Sequence, residues 1–260
     1  MFKLHIPRIT LLLVAAVTPL AAVTISQFNI TLTEDFNTLV STGTSSVLPA
    51  GWSVLETGSA ANSTYTAGTG SSATGDTYSF GATGNSDRAL GMLLTSSLVS
   101  TIGTVVTNTT GGAITSLTIS YAGEQWRLGS ANRTDQLTFG LSTDATGLGN
   151  GTWTGVNQLD FTAPNTGPTT GALDGNLAAN RTVVSFTLTG LNVANGASIW
   201  LRWQDFNATG SDDGLAIDDF SISAPAAFPQ NTPDGLPLTV VLALFGALSF
   251  AGHVKKLSWR

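Results

Sequence analysis

Apolar and polar residues alternate with a period of two in five short segments of the chain. Phe28, Ile30 and Leu32 share one face of the first segment. The same alternation recurs at residues 117–121, 137–141, 184–188 and 199–203. Alternating segments rich in β-branched and aromatic residues predict half-buried β-strands. Between the two ends of the chain, no segment keeps helical spacing for more than two turns.

Polar segments rich in glycine and asparagine separate these strands, as at residues 68–75 and 165–171. Many short strands joined by long polar loops predict an all-β fold, and we expect a jelly-roll β-sandwich over residues 23–223. Residues 224–232 contain Pro225 and Pro229 and are expected to form a linker.

The N-terminus has the layout of a secretory signal. Lys3 and Arg8 come first, residues 9–17 are apolar, and small residues end the segment at Ala22. This order predicts a helical signal peptide over residues 1–22, cleaved near Ala22. The apolar run is shorter than the roughly 20 residues of a membrane span. An uncleaved N-terminal anchor is the alternative.

The C-terminus, residues 233–260, has a second three-part layout. Pro233, Asp234 and Gly235 precede an uncharged apolar run over residues 236–252, and basic residues close the chain. The run predicts a transmembrane helix over 236–252. The basic end favours the cytoplasmic side of the membrane. A buried core helix is the alternative.

This tail resembles the PEP-CTERM and VPDSG-CTERM sorting signals that exosortases process. The resemblance rests on Pro233, Asp234, Gly235, the apolar run and the basic end. Thr232 stands where the nearer variant has valine, and Leu236 stands where a small residue is expected. The resemblance implies an exosortase as partner, a temporary membrane helix, cleavage near Pro233, and delivery to the cell surface or extracellular matrix.

The composition of the middle excludes several functions. Residues 23–234 hold five arginines, no lysine and sixteen carboxylates, a net charge of −11, which argues against nucleic acid as a partner. Both histidines lie in the targeting ends and there is no cysteine. Ser-His-Asp and Cys-His catalysis and a His or Cys zinc site are therefore excluded. Carboxylates alone would have to catalyse, and no motif indicates that they do, so we expect no enzyme.

Four carboxylates near the first and last strands are candidate calcium ligands. Glu34 lies on the apolar face of the first strand, and a break in alternation at Asp218 and Asp219 predicts a bulge in the last strand. First and last strands of jelly rolls often pair, so Glu34 or Asp35 is expected to meet Asp218 or Asp219 and bind calcium. Alternatively, these carboxylates accept hydrogen bonds from turns or pair with arginines. A separate or extended site would use three further aspartates, Asp205, Asp212 and Asp213.

A second constellation combines tryptophans with charged residues. Its members are Glu124, Trp126, Arg127, Trp200, Arg202 and Trp203. Arginine pairs with carboxylates and stacks on indoles, so these residues are predicted to form a structural network. The alternative is a flat aromatic platform for a sugar.

Six segments of the middle resemble a jelly-roll module of large secreted bacterial proteins, which is similar in layout to concanavalin-like and carbohydrate-binding sandwiches. They are 34–37, 48–52, 88–91, 123–127, 200–205 and 214–220. We therefore expect an exported, membrane-sorted surface or matrix protein with a structural or adhesive sandwich. The alternatives are a carbohydrate-binding module for extracellular polysaccharide and a carboxylate-based, glycoside-active enzyme.

Overall fold

The computed structural model describes residues 22–226. The predicted signal helix (all but Ala22), the sorting motif and the transmembrane helix over 236–252 lie outside the described residues. Within residues 22–226, no helix is long and apolar enough to cross a membrane. The chain divides into two compact units after Pro225, and the fold below is that of the first unit.

Strands account for nearly all regular structure of residues 22–226, together with one 3-10 helix at Asn157–Leu159. The strands are β1 (Val23–Ile25), β2 (Thr31–Glu34), β3 (Thr44–Ser45), β4 (Trp52–Thr57), β5 (Tyr65–Gly68), β6 (Asp76–Phe80), β7 (Ala89–Leu93), β8 (Val99–Asn108), β9 (Ile114–Leu128), β10 (Gln136–Ser142), β11 (Thr154–Gly155), β12 (Phe161–Thr162), β13 (Gly171–Ala172), β14 (Arg181–Val193), β15 (Ser198–Asp205) and β16 (Gly214–Ser223).

The strands form two sheets. Sheet A has the order β1-β8-β15-β10-β11, with β4 also on β8 and β12 also on β10. Sheet B has the order β13-β9-β16-β7-β6-β5-β3, with β14 also on β9 and β2 also on β16. All described pairs are antiparallel except β1 with β8 and β5 with β6. The all-β sandwich predicted from the alternation is confirmed.

Four of the five alternating segments lie within long strands, as predicted: 117–121 in β9, 137–141 in β10, 184–188 in β14 and 199–203 in β15. The prediction for residues 28–30 was wrong. Asn29 has a positive φ of 63°, Ile30 is 50% exposed, and β2 begins only at Thr31. The apolar spacing of Phe28 and Ile30 therefore belongs to a turn.

The main core lies between the sheets and is centred on Trp203 of sheet A. Its ring stacks on Trp52 at a centroid distance of 5.7 Å. The edges of three further rings surround it, from Tyr121 (5.4 Å), Phe139 (5.1 Å) and Phe220 (5.9 Å). Because Tyr121 and Phe220 come from sheet B, this cluster joins the two sheets.

The first strand predicted from the sequence, which the structure begins at Thr31, pairs with the last strand as expected. β2 runs antiparallel to β16, with Glu34 opposite Phe220 and Leu32 opposite Ile222. The predicted bulge in β16 is also confirmed, since the register with β9 shifts between Asp218 and Ser221. Asp219 there has a positive φ of 48°.

Candidate functional site

The six residues of the predicted tryptophan network lie on two different sheets. Glu124, Trp126 and Arg127 belong to β9 of sheet B, whereas Trp200, Arg202 and Trp203 belong to β15 of sheet A. Arg127 donates to the carbonyl oxygens of Gly70 and Ser71, at 3.1 and 3.2 Å. The prediction of one network was wrong, because Trp126, Trp200 and Trp203 lie in three separate clusters of the two sheets.

Burial excludes two of the tryptophans as a sugar platform. Trp203 is 0% and Trp126 is 1% exposed. Trp126 packs against Phe80 on the outer face of sheet B, and its Nε1 donates to Glu124 at 2.9 Å. Trp200, which is 8% exposed, packs with Val105 and Leu148 on the outer face of sheet A. Trp126 and Glu124 thus form a local pair within β9 that the sequence did not predict.

The four predicted calcium ligands have other partners. Glu34 accepts from the N–H of Phe36 at 2.9 Å, and Asp35 accepts from that of Asn37 at 3.1 Å. Asp218 accepts from the N–H of Asp219 at 2.7 Å, and Asp219 pairs with Arg181 at 2.9 Å.

These contacts match the alternative of turn hydrogen bonds and an arginine pair. Among residues 22–226, no three Asp, Glu, His or Cys side chains are grouped closely enough to hold a metal ion. Calcium binding at Glu34, Asp35, Asp218 and Asp219 stays a prediction.

Asp218 instead faces Glu124 on the outer face of sheet B. The strand register places Asp218 opposite Ala122 and Glu124 opposite Ala216, so the two carboxylates are neighbours on one face. Glu124 is fully buried and Asp218 is 3% exposed. Burial, more than any neighbouring charge, raises the pKa of Glu124 to about 7 and that of Asp218 to about 8.

One cation lies beside this pair. Nε of Arg181 is 3.7 Å from Oε1 of Glu124, and its Nη2 binds Asp219. The hydrogen bond from Trp126 and the Arg181 charge lower the pKa of Glu124 but do not cancel the effect of burial. Glu124 and Asp218 are therefore both buried beneath the outer surface of sheet B.

An open groove crosses the outer face of sheet A; we call it the sheet A groove. It has a volume of about 360 Å³ and runs over β4, β8 and β15 beneath the loop at residues 148–153. Its described lining residues are Leu55, Thr57, Val99, Thr101, Leu148, Gly149, Asn150, Gly151, Trp153, Arg202 and Gln204. They include one cation and no carboxylate, although the domain as a whole is acidic.

The polar side chains of the sheet A groove are held in place. The guanidinium carbon of Arg202 lies 4.0 Å from the centre of the Trp153 ring. Nε1 of Trp153 donates to the carbonyl of Asn150 at 2.8 Å, and Nε2 of Gln204 donates to Thr101 at 3.1 Å. Trp153 is partly exposed, and so are Arg202 and Gln204. A fixed, partly exposed indole beside three polar groups is suited to ligand binding.

Gly103 of sheet A lets the loop approach. A Cβ on Gly103 would lie only 2.6 Å from Cδ2 of Leu148, whereas one on Gly140 would make an ordinary contact of 3.6 Å with Cε3 of Trp153. Asp144 fixes the loop from within by accepting from Ser142 at 2.8 Å and from the N–H of Thr152 at 2.7 Å. Sequence reasoning missed Trp153. The one available signal was a tryptophan following the glycine- and asparagine-rich residues 147–151.

No protein-family model matches the chain, and no curated protein matches it. Solved structures resemble it at low identity. The enzymatically active domain of tailspike protein 4 from bacteriophage CBA120 is 10% identical with a TM-score of 0.34, covering 66% of this chain. This chain spans only 19% of that tailspike chain.

Two further solved structures are matched over a larger share of their own length than the tailspike chain is. The K3 cleaved adhesin domain of Lys-gingipain from Porphyromonas gingivalis is 15% identical with a TM-score of 0.40, covering 67% of this chain and 92% of the adhesin chain. The N-terminal tandem CBM22 domain of Xyn10C from Paenibacillus barcinonensis is 14% identical with a TM-score of 0.39, covering 81% of this chain and 49% of the other.

Proposed function

We propose that this chain is an exported β-sandwich protein that adheres to extracellular polysaccharide through the sheet A groove. The observation that carries the proposal is the partly exposed Trp153, fixed beside Arg202 over an open sheet face. An indole presents a rigid apolar surface at little cost in conformational entropy, which suits the apolar face of a sugar ring.

The polar groups of the groove supply the other half of carbohydrate recognition. Gln204, Thr101 and Asn150 offer amide and hydroxyl groups, which both donate and accept hydrogen bonds as sugar hydroxyls do. Arg202 adds a charged donor. Its Nη1 donates to the carbonyl of Leu148 at 3.4 Å, and it pairs with no carboxylate among the described residues. A neutral, hydroxyl-rich ligand fits this set better than a cation does.

Catalysis is not part of the proposal. A glycoside-active enzyme needs a carboxylic acid, and a general acid must come within hydrogen-bond reach of the substrate. Glu124 is 0% exposed and bonded to Trp126 beneath the outer face of sheet B. Glu56, another of the three glutamates, is 9% exposed and accepts from Thr77.

Trp153→Ala is expected to weaken polysaccharide binding at least about tenfold, because one stacked indole contributes on the order of 1.4 kcal/mol or more at a binding hot spot. Glycan-array binding followed by titration calorimetry on the best ligand measures this. Phe206→Ala is the matched control, since Phe206 is 54% exposed but does not line the groove. Equal affinities of wild type and Trp153→Ala would reject the groove as the site.

Export and sorting are the second part of the proposal, supported by the two termini of the sequence. Deleting residues 1–22 is expected to retain the protein inside the cell. Deleting residues 233–260 is expected to release it into the medium instead of sorting it through the membrane. Fractionation with an antibody against the sandwich distinguishes these outcomes, and export of the chain lacking residues 1–22 would contradict the signal.

A further inference from the structure

Four buried aspartates lie near the end of the sandwich where β15 leaves sheet A. Their exposed fractions are 1% for Asp135, 7% for Asp205, 5% for Asp212 and 0% for Asp213. Arg133 is the one cation paired with them in the described residues, binding Asp135 at 2.9 Å and Asp213 at 3.5 Å. Asp213 also accepts from Gln125 at 2.7 Å and from the N–H of Gly129 at 2.8 Å. Asp135 and Asp213 are therefore satisfied.

Asp205 and Asp212 form no ion pair with Arg133. Oδ2 of Asp205 accepts from the N–H of Leu94 at 3.2 Å, but its Oδ1 is buried without a hydrogen-bond partner. Asp212 accepts from the N–H of Ala208 at 2.9 Å. Ala208 lies three residues after Asp205, so Asp212 folds back toward the start of the loop that Asp205 begins. An unpaired buried carboxylate oxygen is costly and requires a partner.

The loop after Asp205 has the spacing of a calcium-binding loop. Asp205, Asn207, Thr209 and Gly210 occupy the first, third, fifth and sixth positions of the pattern in which alternate side chains bind calcium and glycine makes the turn. Gly210 has a φ of 97°, as that turn requires. The loop departs from the pattern at the fifth position, where Thr209 stands in place of Asp or Asn, and at the twelfth, where Ala216 replaces the glutamate. Asp212 must therefore supply the second carboxylate.

We propose that the loop of residues 205–212 binds one calcium ion, with Asp205 and Asp212 as its carboxylate ligands and Asn207 and backbone carbonyls as neutral ligands. Two carboxylates with neutral oxygens are consistent with the lack of a three-acid group in residues 22–226. The ligands are all oxygen, which suits a hard cation, and a loop adapts to calcium more readily than to the rigid octahedron of magnesium.

The surroundings of this loop give the ion access and a structural role. A cavity of about 340 Å³ opens beside Asp212, lined also by Leu94, Thr95, Ser96 and Asn207. Since Asp205 holds the N–H of Leu94, the ion would fix both the segment after β7 and the loop before β16. This position is distinct from the one predicted at Glu34 and Asp218. It uses two of the three aspartates named for a separate site, Asp205 and Asp212, whereas the third, Asp213, pairs with Arg133.

The test is thermal unfolding of the full chain in detergent micelles, with calcium and with a chelator. Sites with few charged ligands bind at about 10⁻⁴–10⁻³ M, so calcium at about 10 mM is expected to raise the melting temperature by roughly 3–10 °C. Asp205→Asn keeps an acceptor for Leu94 but loses the charge, and its calcium-induced shift is expected to fall below about 1 °C. Magnesium is expected to give a smaller shift than calcium in the wild type.

Glu34→Gln is the matched control because it removes the other predicted calcium ligand and is expected to keep the full shift. A shift that survives in Asp205→Asn but disappears in Glu34→Gln would overturn the proposal, as would no shift in the wild type. Should Asp205→Asn not fold, calcium titration calorimetry of the wild type and Asp212→Asn decides. Unchanged calcium affinity in Asp212→Asn would then overturn the proposal.

Discussion

Trp203→Ala is expected to lower the free energy of unfolding by about 3–5 kcal/mol, the range for deleting a large buried aromatic side chain. Trp203 is fully buried and contacts Trp52, Tyr121, Phe139 and Phe220. Because these rings come from both sheets, a cavity at this position loosens the contact between the sheets. A neighbouring side chain cannot refill it without leaving its own place in the core.

Chemical denaturation of wild type and variant measures this loss. Trp153→Ala is the matched control, since Trp153 lies in a surface loop and its removal is expected to cost less than about 1 kcal/mol. The two tryptophans thus separate stability from binding. Equal losses of stability in the two variants would contradict the assignment of Trp203 to the core and Trp153 to the surface.

The domain is expected to be more stable at pH 5 than at pH 8 because of Glu124 and Asp218. Burial raises the pKa of Glu124 to about 7 and that of Asp218 to about 8, well above their values in the unfolded chain. A raised pKa in the folded state contributes stability that is fully present below the unfolded pKa. This stability is lost as the pH rises through the folded values, here up to about 8.

Glu124→Gln isolates one half of this effect. The amide oxygen can still accept from Nε1 of Trp126, but the side chain no longer ionises. We expect the variant to be more stable than wild type at pH 8 by about 2–3 kcal/mol, an order of magnitude set by the shift of the pKa from its usual value.

The measurement is the free energy of unfolding of both proteins between pH 4 and 9. Asp174→Asn, at an exposed turn, controls for the loss of one negative charge. Parallel pH profiles for wild type and Glu124→Gln would show that Glu124 is already ionised in the folded protein, contrary to its buried position.

The sequence predicted where the strands lie better than it predicted which strands are adjacent in the sheets. Alternation identified the inward residues of β9, β10, β14 and β15, because period two depends only on local geometry. The bulge at Asp219 also followed from a local break in alternation, whereas the pairing of β2 with β16 followed from the expectation that first and last strands of jelly rolls pair. Residues 28–30 show the same alternation, but over so few positions that the pattern does not distinguish a turn from a strand.

Sites that depend on long-range pairing were beyond the sequence. Glu124 meets Asp218 only because of the register between β9 and β16, which a bulge shifts. The sequence does not distinguish the surroundings of Trp126 from those of Trp203. Only the sheet order shows that each is buried in a different cluster. Trp153 belongs to no strand, so no periodic pattern marks it. By contrast, the calcium-loop spacing that begins at Asp205 lies within eight consecutive residues of the sequence.

Amide hydrogen exchange with and without a bound glycan shows whether polysaccharide binds in the sheet A groove. We expect slower exchange on binding in the loop at residues 148–153 and in the adjoining parts of β4, β8 and β15. The loop at residues 206–213 and the outer face of sheet B are expected to exchange at unchanged rates. Slower exchange confined to the loop at residues 206–213 or to the outer face of sheet B would contradict binding in the sheet A groove.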